Sequence, residues 1–176
     1  MSFGSRLRRR FLPCMVAGLV LQCGCGHEPT RPPVTDVRLA VTATPDVSGP
    51  SAPALMRAVV ANVGKTRVLH CSGCGCGNGV SITILGPDGT EVALHDPNAP
   101  APGCADGLDQ PLEPAGTLER DDSFTGVLYQ RGSPTYPSPT YTAPSGTYTV
   151  IATFAYRPPS GQWVALARRT TFVWMP

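Results

Sequence analysis

The sequence predicts an all-β fold: an antiparallel β-sandwich of about seven to eight strands that follows an N-terminal signal peptide. Apolar and polar residues alternate along several short segments, as a half-buried strand requires. The 19 glycines and 20 prolines cluster between these segments, where they mark turns. No window shows an apolar stripe of helical period. In a sandwich two apolar sheet faces cover each other, and a closed barrel is the alternative.

The strand prediction follows alternation, short apolar runs and turns along the chain. Val80, Ile82 and Ile84 share one face of a segment that ends at the turn Pro87-Asp88-Gly89, in which proline presets φ and glycine accepts a positive φ. The eight predicted strands are residues 37–43, 55–63, 67–70, 79–85, 91–95, 118–128, 148–156 and 163–174.

Two segments interrupt this rhythm. Residues 96–116 are rich in proline, glycine and aspartate. Residues 131–146 contain two nearly identical pentads, Ser-Pro-Thr-Tyr-Pro at 133–137 and Ser-Pro-Thr-Tyr-Thr at 138–142. The repeated prolines favour an extended, polyproline-like loop in this second segment.

The first 25 residues are predicted to be a signal peptide and not part of the folded domain. Four arginines between Arg6 and Arg10 form a basic start, and the apolar run 11–21 follows it. This run is too short to span a bilayer, which takes about 20 residues. A basic start, a short apolar run and small residues after it are typical of export signals.

The end of this signal resembles the lipobox of bacterial lipoproteins, in which a cysteine after a small residue is lipidated. Cys25 follows Gly24 and is the predicted lipidation site, although Gln22 stands where the pattern has an aliphatic residue. Cys23 is the alternative, and secretion without a lipid is another. Residues 8–12, Arg-Arg-Arg-Phe-Leu, also fit the core of a twin-arginine signal, so the export route stays open.

After the signal, the sequence predicts a tether and one domain. Residues 26–34 form a polar, proline-rich tether, which prolines stiffen. Residues 35–176 then form a single β-sandwich domain, which is long enough to bury one core. The chain is therefore expected in the cell envelope, held on a membrane by lipid and facing the periplasm or the exterior.

Charge excludes one class of partner. The signal contains four of the 14 basic residues and none of the 12 acidic residues, so the remainder carries a net charge of −2. Nucleic-acid binding needs a basic patch, which this mildly acidic domain does not offer.

Three further motifs resemble the intracellular proteinase inhibitor family of BsuPI type. Residues 59–64, Val-Val-Ala-Asn-Val-Gly, read as a strand ending in an Asn-x-Gly turn. Residues 112–117, Leu-Glu-Pro-Ala-Gly-Thr, are similar to the bend before a strand in that family. Residues 144–150, Pro-Ser-Gly-Thr-Tyr-Thr-Val, are similar to its Pro-Gly-x-Tyr-x-Val strand start. The resemblance covers residues 34–174 and implies an immunoglobulin-like fold. It also implies inhibition of a serine proteinase, although no inhibitory residue maps onto this sequence.

The domain carries four cysteines, Cys71, Cys74, Cys76 and Cys104, in the pattern Cys-x-x-Cys-x-Cys with a distant fourth. An even number in an exported domain predicts two disulfides. Cys104 is expected to join one cysteine of the cluster, and the three possible pairings stay open. The alternative is a metal site, because four thiolates can hold zinc, and Cu(I) also prefers thiolates and has His70 adjacent.

No catalytic constellation is predicted, and no cofactor or small-molecule substrate is expected. The sequence has no Gly-x-Ser-x-Gly elbow. Asp121 and Asp122 read as an exposed strand, and His95 with Asp96 as a solvated pair. Tyr136 and Tyr141 are the candidate binding residues, because tyrosine combines an apolar body with a polar tip.

These observations give three functional hypotheses. The first is a non-catalytic envelope lipoprotein whose domain binds another envelope protein or has a structural role. The second is a proteinase inhibitor that acts outside the cytoplasm. The third is a metal-binding module built on the cysteine cluster.

Overall fold

The computed structural model describes residues 36–71, 78–100 and 109–176, which all belong to one compact unit. Within these residues the chain forms β-strands and no helix, and it therefore has no helix there that could cross a membrane. The strands are β1 (Val37–Thr44), β2 (Val47–Ser48), β3 (Ala54–Asn62), β4 (Val68–Cys71), β5 (Val80–Leu85), β6 (Glu91–Val92), β7 (Asp109–Leu112), β8 (Thr117–Phe124), β9 (Val127–Tyr129), β10 (Thr140–Thr142), β11 (Gly146–Arg157) and β12 (Val164–Trp174).

Two sheets form the sandwich. The smaller sheet has the antiparallel order β1-β3-β8. In the larger sheet β11 pairs with β12 on one side and with both β4 and β5 on the other. β2 extends the β12 side by a parallel pairing, while β7 extends β4 and β6 extends β5. β9 and β10 form a hairpin that reaches the larger sheet through one bridge, Ala93 with Tyr129. The predicted all-β sandwich is confirmed.

The core lies between the sheets because buried residues alternate along the long strands of both. β3 shows strict alternation over most of its length, and β11 does the same on the facing sheet. One half of the core is aromatic: Phe124 lies 4.6 Å from Tyr148, 5.1 Å from Phe172 and 5.0 Å from Trp174, measured between ring centroids. The other half is built around the fully buried Val60 and aliphatic and aromatic side chains of both sheets.

Tyr148 fixes the start of β11. Its hydroxyl donates a hydrogen bond of 2.8 Å to the carbonyl of Pro144, four residues upstream. Burial raises the pKa of Tyr148 to about 12, with smaller contributions from Tyr141 and Asp88, so the hydroxyl keeps its proton and remains a donor. A tyrosine that bonds back to the chain at this corner is typical of immunoglobulin-like sandwiches.

β4 and β5 pair with neighbouring parts of β11, although the cysteine segment separates them in sequence. His70 of β4 is opposite Tyr156 and Val80 of β5 is opposite Phe154, so only Ala155 separates their two partners on β11. Gly79, directly before β5, has a φ of 80°, and an added Cβ would lie 2.6 Å from the carbonyl oxygen of Cys71. Only glycine fits there without a shift of the backbone.

Most predicted strands lie within a residue or two of observed ones, with three differences. The predicted strand 118–128 is two strands, because Gly126, with φ of 82°, turns the chain between β8 and β9. The predicted strand 91–95 pairs only at Glu91–Val92 and Ala93. β2, β7 and β10 were not predicted, and β10 lies in the segment interpreted as a polyproline-like loop.

Burial of His70 gives a pH-dependent prediction. The side chain is 4% exposed, and its Nδ1 has no well-formed hydrogen bond to the described residues. Burial lowers the pKa of His70 below its usual 6.5, and the backbone of Cys71 and Asn78 offsets this only in part. The unfolded chain therefore takes up a proton before the folded chain does. We expect the free energy of unfolding to be independent of His70 well above its usual pKa of 6.5 and to fall as the pH drops through and below that value, because the unfolded chain is then protonated and the folded chain is not.

Urea unfolding at several pH values measures this slope. His70→Leu should flatten it, because leucine fills similar space and does not titrate. His95→Gln is the matched control, since the His95 side chain is 75% exposed. An unchanged slope in His70→Leu would contradict the assignment.

Candidate interaction surface

Both predicted binding tyrosines lie on the surface. Tyr136 is 64% exposed in the loop between β9 and β10, and Tyr141 is 46% exposed in β10 itself. Tyr141 is opposite the fully buried Leu128, so β10 is joined to the core through β9. Val127, at the start of β9, is half-exposed as well. The sequence prediction that these tyrosines are available for contact is thus compatible with their placement.

A second loop holds the Tyr136 loop in place. The side-chain amide of Asn98 donates to the carbonyls of Ser133 at 2.6 Å and Thr135 at 2.8 Å, and lies 3.1 Å from the hydroxyl of Ser138. Ser138 is 3% exposed, although it belongs to a surface loop. The residues on both sides of Tyr136 are therefore fixed to the 95–100 segment. We name residues 96–98 and 133–138 together the tyrosine platform.

Asp96 completes the tyrosine platform. Its carboxylate accepts hydrogen bonds from the backbone N–H of Ser138 at 2.8 Å, from the hydroxyl of Ser138 at 2.6 Å and from the backbone N–H of Asn98 at 2.9 Å. Desolvation raises the pKa of Asp96, but the bonds from Ser138 and Asn98 outweigh it, and the pKa is lowered overall. Asp96 is therefore ionised at neutral pH, and the bonds it accepts are charge-assisted.

An ion pair ties the start of the same loop to the larger sheet. Arg131 lies 2.7 Å from the carboxylate of Glu91, in β6. Just before the loop, at the end of β9, Tyr129 donates its backbone N–H to the carbonyl of Ala93 at 2.9 Å. The loop that carries Tyr136 is thus held at its beginning by β6 and at its end by Asp96.

The two tryptophans differ in environment. Trp174 is 1% exposed and belongs to the aromatic core. Trp163 is 50% exposed, next to β12 in the β11–β12 turn, and Arg157 lies over its ring at 5.6 Å from the centroid. Arg157 also pairs with Asp109. Trp163 is an exposed aromatic residue with its own partner, at the opposite end of β11 from Tyr148.

The predicted cysteine sites are only partly within the described residues. Cys71 ends β4 and is disulfide-bonded. Its partner, and Cys74, Cys76, Cys104 and the predicted lipidation site Cys25, lie outside the described residues. Asp109, five residues after Cys104, is opposite Cys71 in the register of β4 and β7. β7 therefore begins beside Cys71, and the disulfide pairing stays a prediction.

The acidic and histidine residues form different pairs from those expected. His95 contacts Asp122 at 3.2 Å, whereas Asp96 belongs to the tyrosine platform. Arg57 pairs with Glu119 and lies 3.9 Å from Asp121. Within the part of the chain that the structure describes, no group of three or more His, Cys, Asp or Glu side chains could hold a metal, and neither histidine hydrogen-bonds to a serine hydroxyl.

Sequence reasoning missed Asp96 and Asn98 as the support of Tyr136. The signal available was the Asp-Pro-Asn triplet at 96–98, because aspartate two residues before an amide forms an Asx turn. The amide of Asn98 does bond to Asp96 in this way. The contact with Ser138 is not visible in sequence, because 42 residues separate the two partners.

Comparisons with known proteins find similarity among solved structures but not among family models or curated proteins. No protein-family model matches the chain, and no curated protein is similar to it. Among solved structures, it is similar to a β-glucosidase of Erythrobacter marinus, with 13% identity, 79% of this chain and 15% of that chain covered, and a TM-score of 0.40.

Two other solved structures are similar at the same level. For the ApaA protein of Bordetella pertussis the identity is 17%, the coverage is 80% of this chain and 94% of that chain, and the TM-score is 0.41. For the alkylpurine DNA glycosylase AlkC of Pseudomonas fluorescens, bound to DNA containing an abasic site analog, the identity is 11% and the TM-score is 0.39. The match covers 80% of this chain and 31% of that chain. This chain spans about a seventh of the glucosidase and a third of the glycosylase. The class that the fold and surface define is an all-β sandwich with exposed tyrosines.

Proposed function

We propose that this chain is a non-catalytic, lipid-anchored protein of the cell envelope whose domain binds another envelope protein through the tyrosine platform. The observation that carries the proposal is the support of Tyr136: a side chain that is 64% exposed stands on a loop held by Asp96 and Asn98. A loop whose backbone is already ordered loses little conformational entropy on binding, and tyrosine is frequent in protein interfaces.

The chemistry of the described residues supports a binding role rather than catalysis. Hydrolysis by a serine nucleophile needs a histidine within hydrogen-bond reach of the hydroxyl. The described histidines lie elsewhere: His70 is buried beside Phe154, and His95 contacts Asp122. The exposed apolar side chains around β9 and β10 offer contact area instead.

The location in the envelope rests on the sequence of residues 1–25 and has its own test. Mass analysis of the protein isolated from membranes should give an N-terminal Cys25 that carries a diacylglycerol group. A mature protein that begins at another residue without lipid would contradict the anchor and leave the domain proposal untouched.

The platform is tested by cross-linking in intact cells followed by capture of the anchored protein. Tyr136→Ser should reduce the yield of its specific partner by tenfold or more, in the range of an interface hot spot of about 2 kcal/mol. Trp163→Ser is the matched control, because Trp163 is also a half-exposed aromatic residue but lies away from the platform. A partner that is captured equally by wild type and Tyr136→Ser would refute the platform as its binding site.

The ordered loop also favours a second candidate, a proteinase inhibitor acting outside the cytoplasm. Inhibitors bind with little change in their backbone, so a loop fixed by its own hydrogen bonds suits this role. Purified protein should then slow at least one serine proteinase of a panel, and Tyr136→Ser should relieve the inhibition. Unchanged rates across the panel would remove this candidate.

A further inference from the structure

The outer edge of β10 has backbone groups without a partner among the described residues. Tyr129 gives its N–H to Ala93, Gln130 gives its N–H to Pro139 and Ala143 gives its N–H to Gly126. In an antiparallel ladder bonded pairs recur every second residue, so residues 139, 141 and 143 face β9. Thr140 and Thr142 therefore point their N–H and C=O groups away from β9, toward solvent.

Two other strand edges in the described part of the chain are protected against pairing. β8 carries four consecutive charged residues, 119–122, and the carbonyl of Glu119 accepts a bond from the side chain of Asn78. β7 contains Pro111, which has no N–H. Charges and prolines on an edge prevent pairing with another chain. β10, Thr-Tyr-Thr, has no charged residue, and all three of its residues are exposed.

We propose that two copies of this chain pair through their β10 strands, antiparallel and about a twofold axis at Tyr141. In this register Thr140 of one copy is opposite Thr142 of the other. The two outward N–H groups and two outward C=O groups of each strand then form four hydrogen bonds. The paired side chains are threonines, which suit cross-strand pairs, and two tyrosines at the position of closest approach. This inference goes beyond the proposed function, because it concerns copies of this chain and uses the edge rather than Tyr136.

The ends of the strand select this register. The N–H of Ser138, the next outward group on one side, is already bonded to Asp96. On the other side the next outward position is Pro144, which has no N–H. A shift by two residues in either direction would place a threonine opposite one of these residues, which has no free N–H to return, so the number of pairs bonded in both directions would fall from two to one. The uncharged strand also brings no like charges together across the axis, as a second copy requires.

The pairing is expected to be weak in dilute solution. A ladder of three residues buries much less than the roughly 1,200–2,000 Å² of a stable interface. Anchoring in a membrane confines copies to one surface and raises their effective concentration. The test therefore uses the full chain in its own membrane.

A photo-crosslinking residue at position 141 tests the pairing directly. Replacement of Tyr141 by p-benzoylphenylalanine should give, on irradiation of cells, a product of twice the chain mass that links position 141 to β10 of the other copy. The same residue at position 153, on the exposed face of the central β11, should not give this product. Absence of the product, or links from position 141 only to a different protein, would overturn the proposal.

The backbone hydrogen bonds are tested by a matched pair of substitutions in the crosslinking chain. Thr142→Pro removes an outward N–H and no bond to β9, and should reduce the crosslink at least fivefold. Thr142→Ala keeps the N–H and should retain it. Thr140→Lys places a charge on the edge and should also reduce the product. This variant tests the contact if Thr142→Pro fails to fold. Tyr136→Ser should leave the crosslink intact, which separates this pairing from partner binding at the platform. Equal crosslinking in all variants would refute an edge-to-edge contact.

Discussion

Phe124→Ala is expected to lower the free energy of unfolding by about 3–5 kcal/mol, the range for deletion of a buried phenylalanine. Phe124 is fully buried and is the centre of the aromatic core, with three rings within 5.1 Å of its own. The substitution removes apolar area from the core, leaves a cavity and breaks edge-to-face contacts between rings. Each such ring contact contributes about 0.5–1.5 kcal/mol of stability beyond that of the buried area.

Leu55→Ala is the control for this change. Leu55 lies next to Ala54, the residue opposite Phe124 in β3, but it points outward and is 59% exposed. Its truncation should alter stability by no more than about 0.5 kcal/mol. Urea unfolding followed by tryptophan fluorescence measures both, since Trp174 contacts the Phe124 ring. A loss below about 1 kcal/mol in Phe124→Ala would contradict the placement of this ring in the core.

Alternation and short apolar runs in the sequence were sufficient to predict most of the long strands. Buried and less buried residues alternate along most of β1, β3 and β11, so local pattern and tertiary environment agree there. The family resemblance adds an expectation of an immunoglobulin-like domain, and the inhibitor activity it implies stays a prediction.

The missed strands have little local signal. β7 contains a proline and two polar residues, and it exists because β4 offers a free edge beside it. β10 is three exposed residues between prolines, and its pairing depends on β9, which lies on the far side of a ten-residue loop. Such strands are specified by tertiary pairing rather than by alternation.

The candidate surface was predictable in part. Exposure of Tyr136 and Tyr141 follows from their position in a polar, proline-rich loop, which buries little apolar area. The order of that loop does not follow from sequence, because the buried hydroxyl of Ser138 finds Asp96 and Asn98 across the fold. The same contact occupies the Ser138 amide and so limits which part of β10 is open.

Asn62→Ala is the second large expected effect, about 2–4 kcal/mol in the free energy of unfolding, because it removes three hydrogen bonds at a buried site. Asn62 is fully buried at the end of β3. Its side-chain amide donates to the carbonyls of Thr66 and Leu112, both at 2.9 Å, and its oxygen accepts from the N–H of Gly64 at 3.0 Å. One side chain thus joins the turn after β3 to the end of β7.

The cost arises from the groups left behind. The carbonyl of Leu112 is bonded to Asn62 in a buried position, and an unsatisfied buried acceptor costs about 1–3 kcal/mol. Asn62→Asp should be no better than alanine, because a carboxylate has no proton to donate to the two carbonyls.

Asn98→Ala is the matched control, since Asn98 also serves three acceptors but is exposed, where water replaces the lost bonds. Its effect on global unfolding should stay below about 1 kcal/mol, within the usual range for surface changes. Equal losses in Asn62→Ala and Asn98→Ala would show that burial of the amide does not determine the cost. A much larger loss at Asn62 would mean that the Asn-x-Gly motif, which the sequence analysis interprets as a turn, also connects the two sheets of the sandwich through the Asn62 side chain.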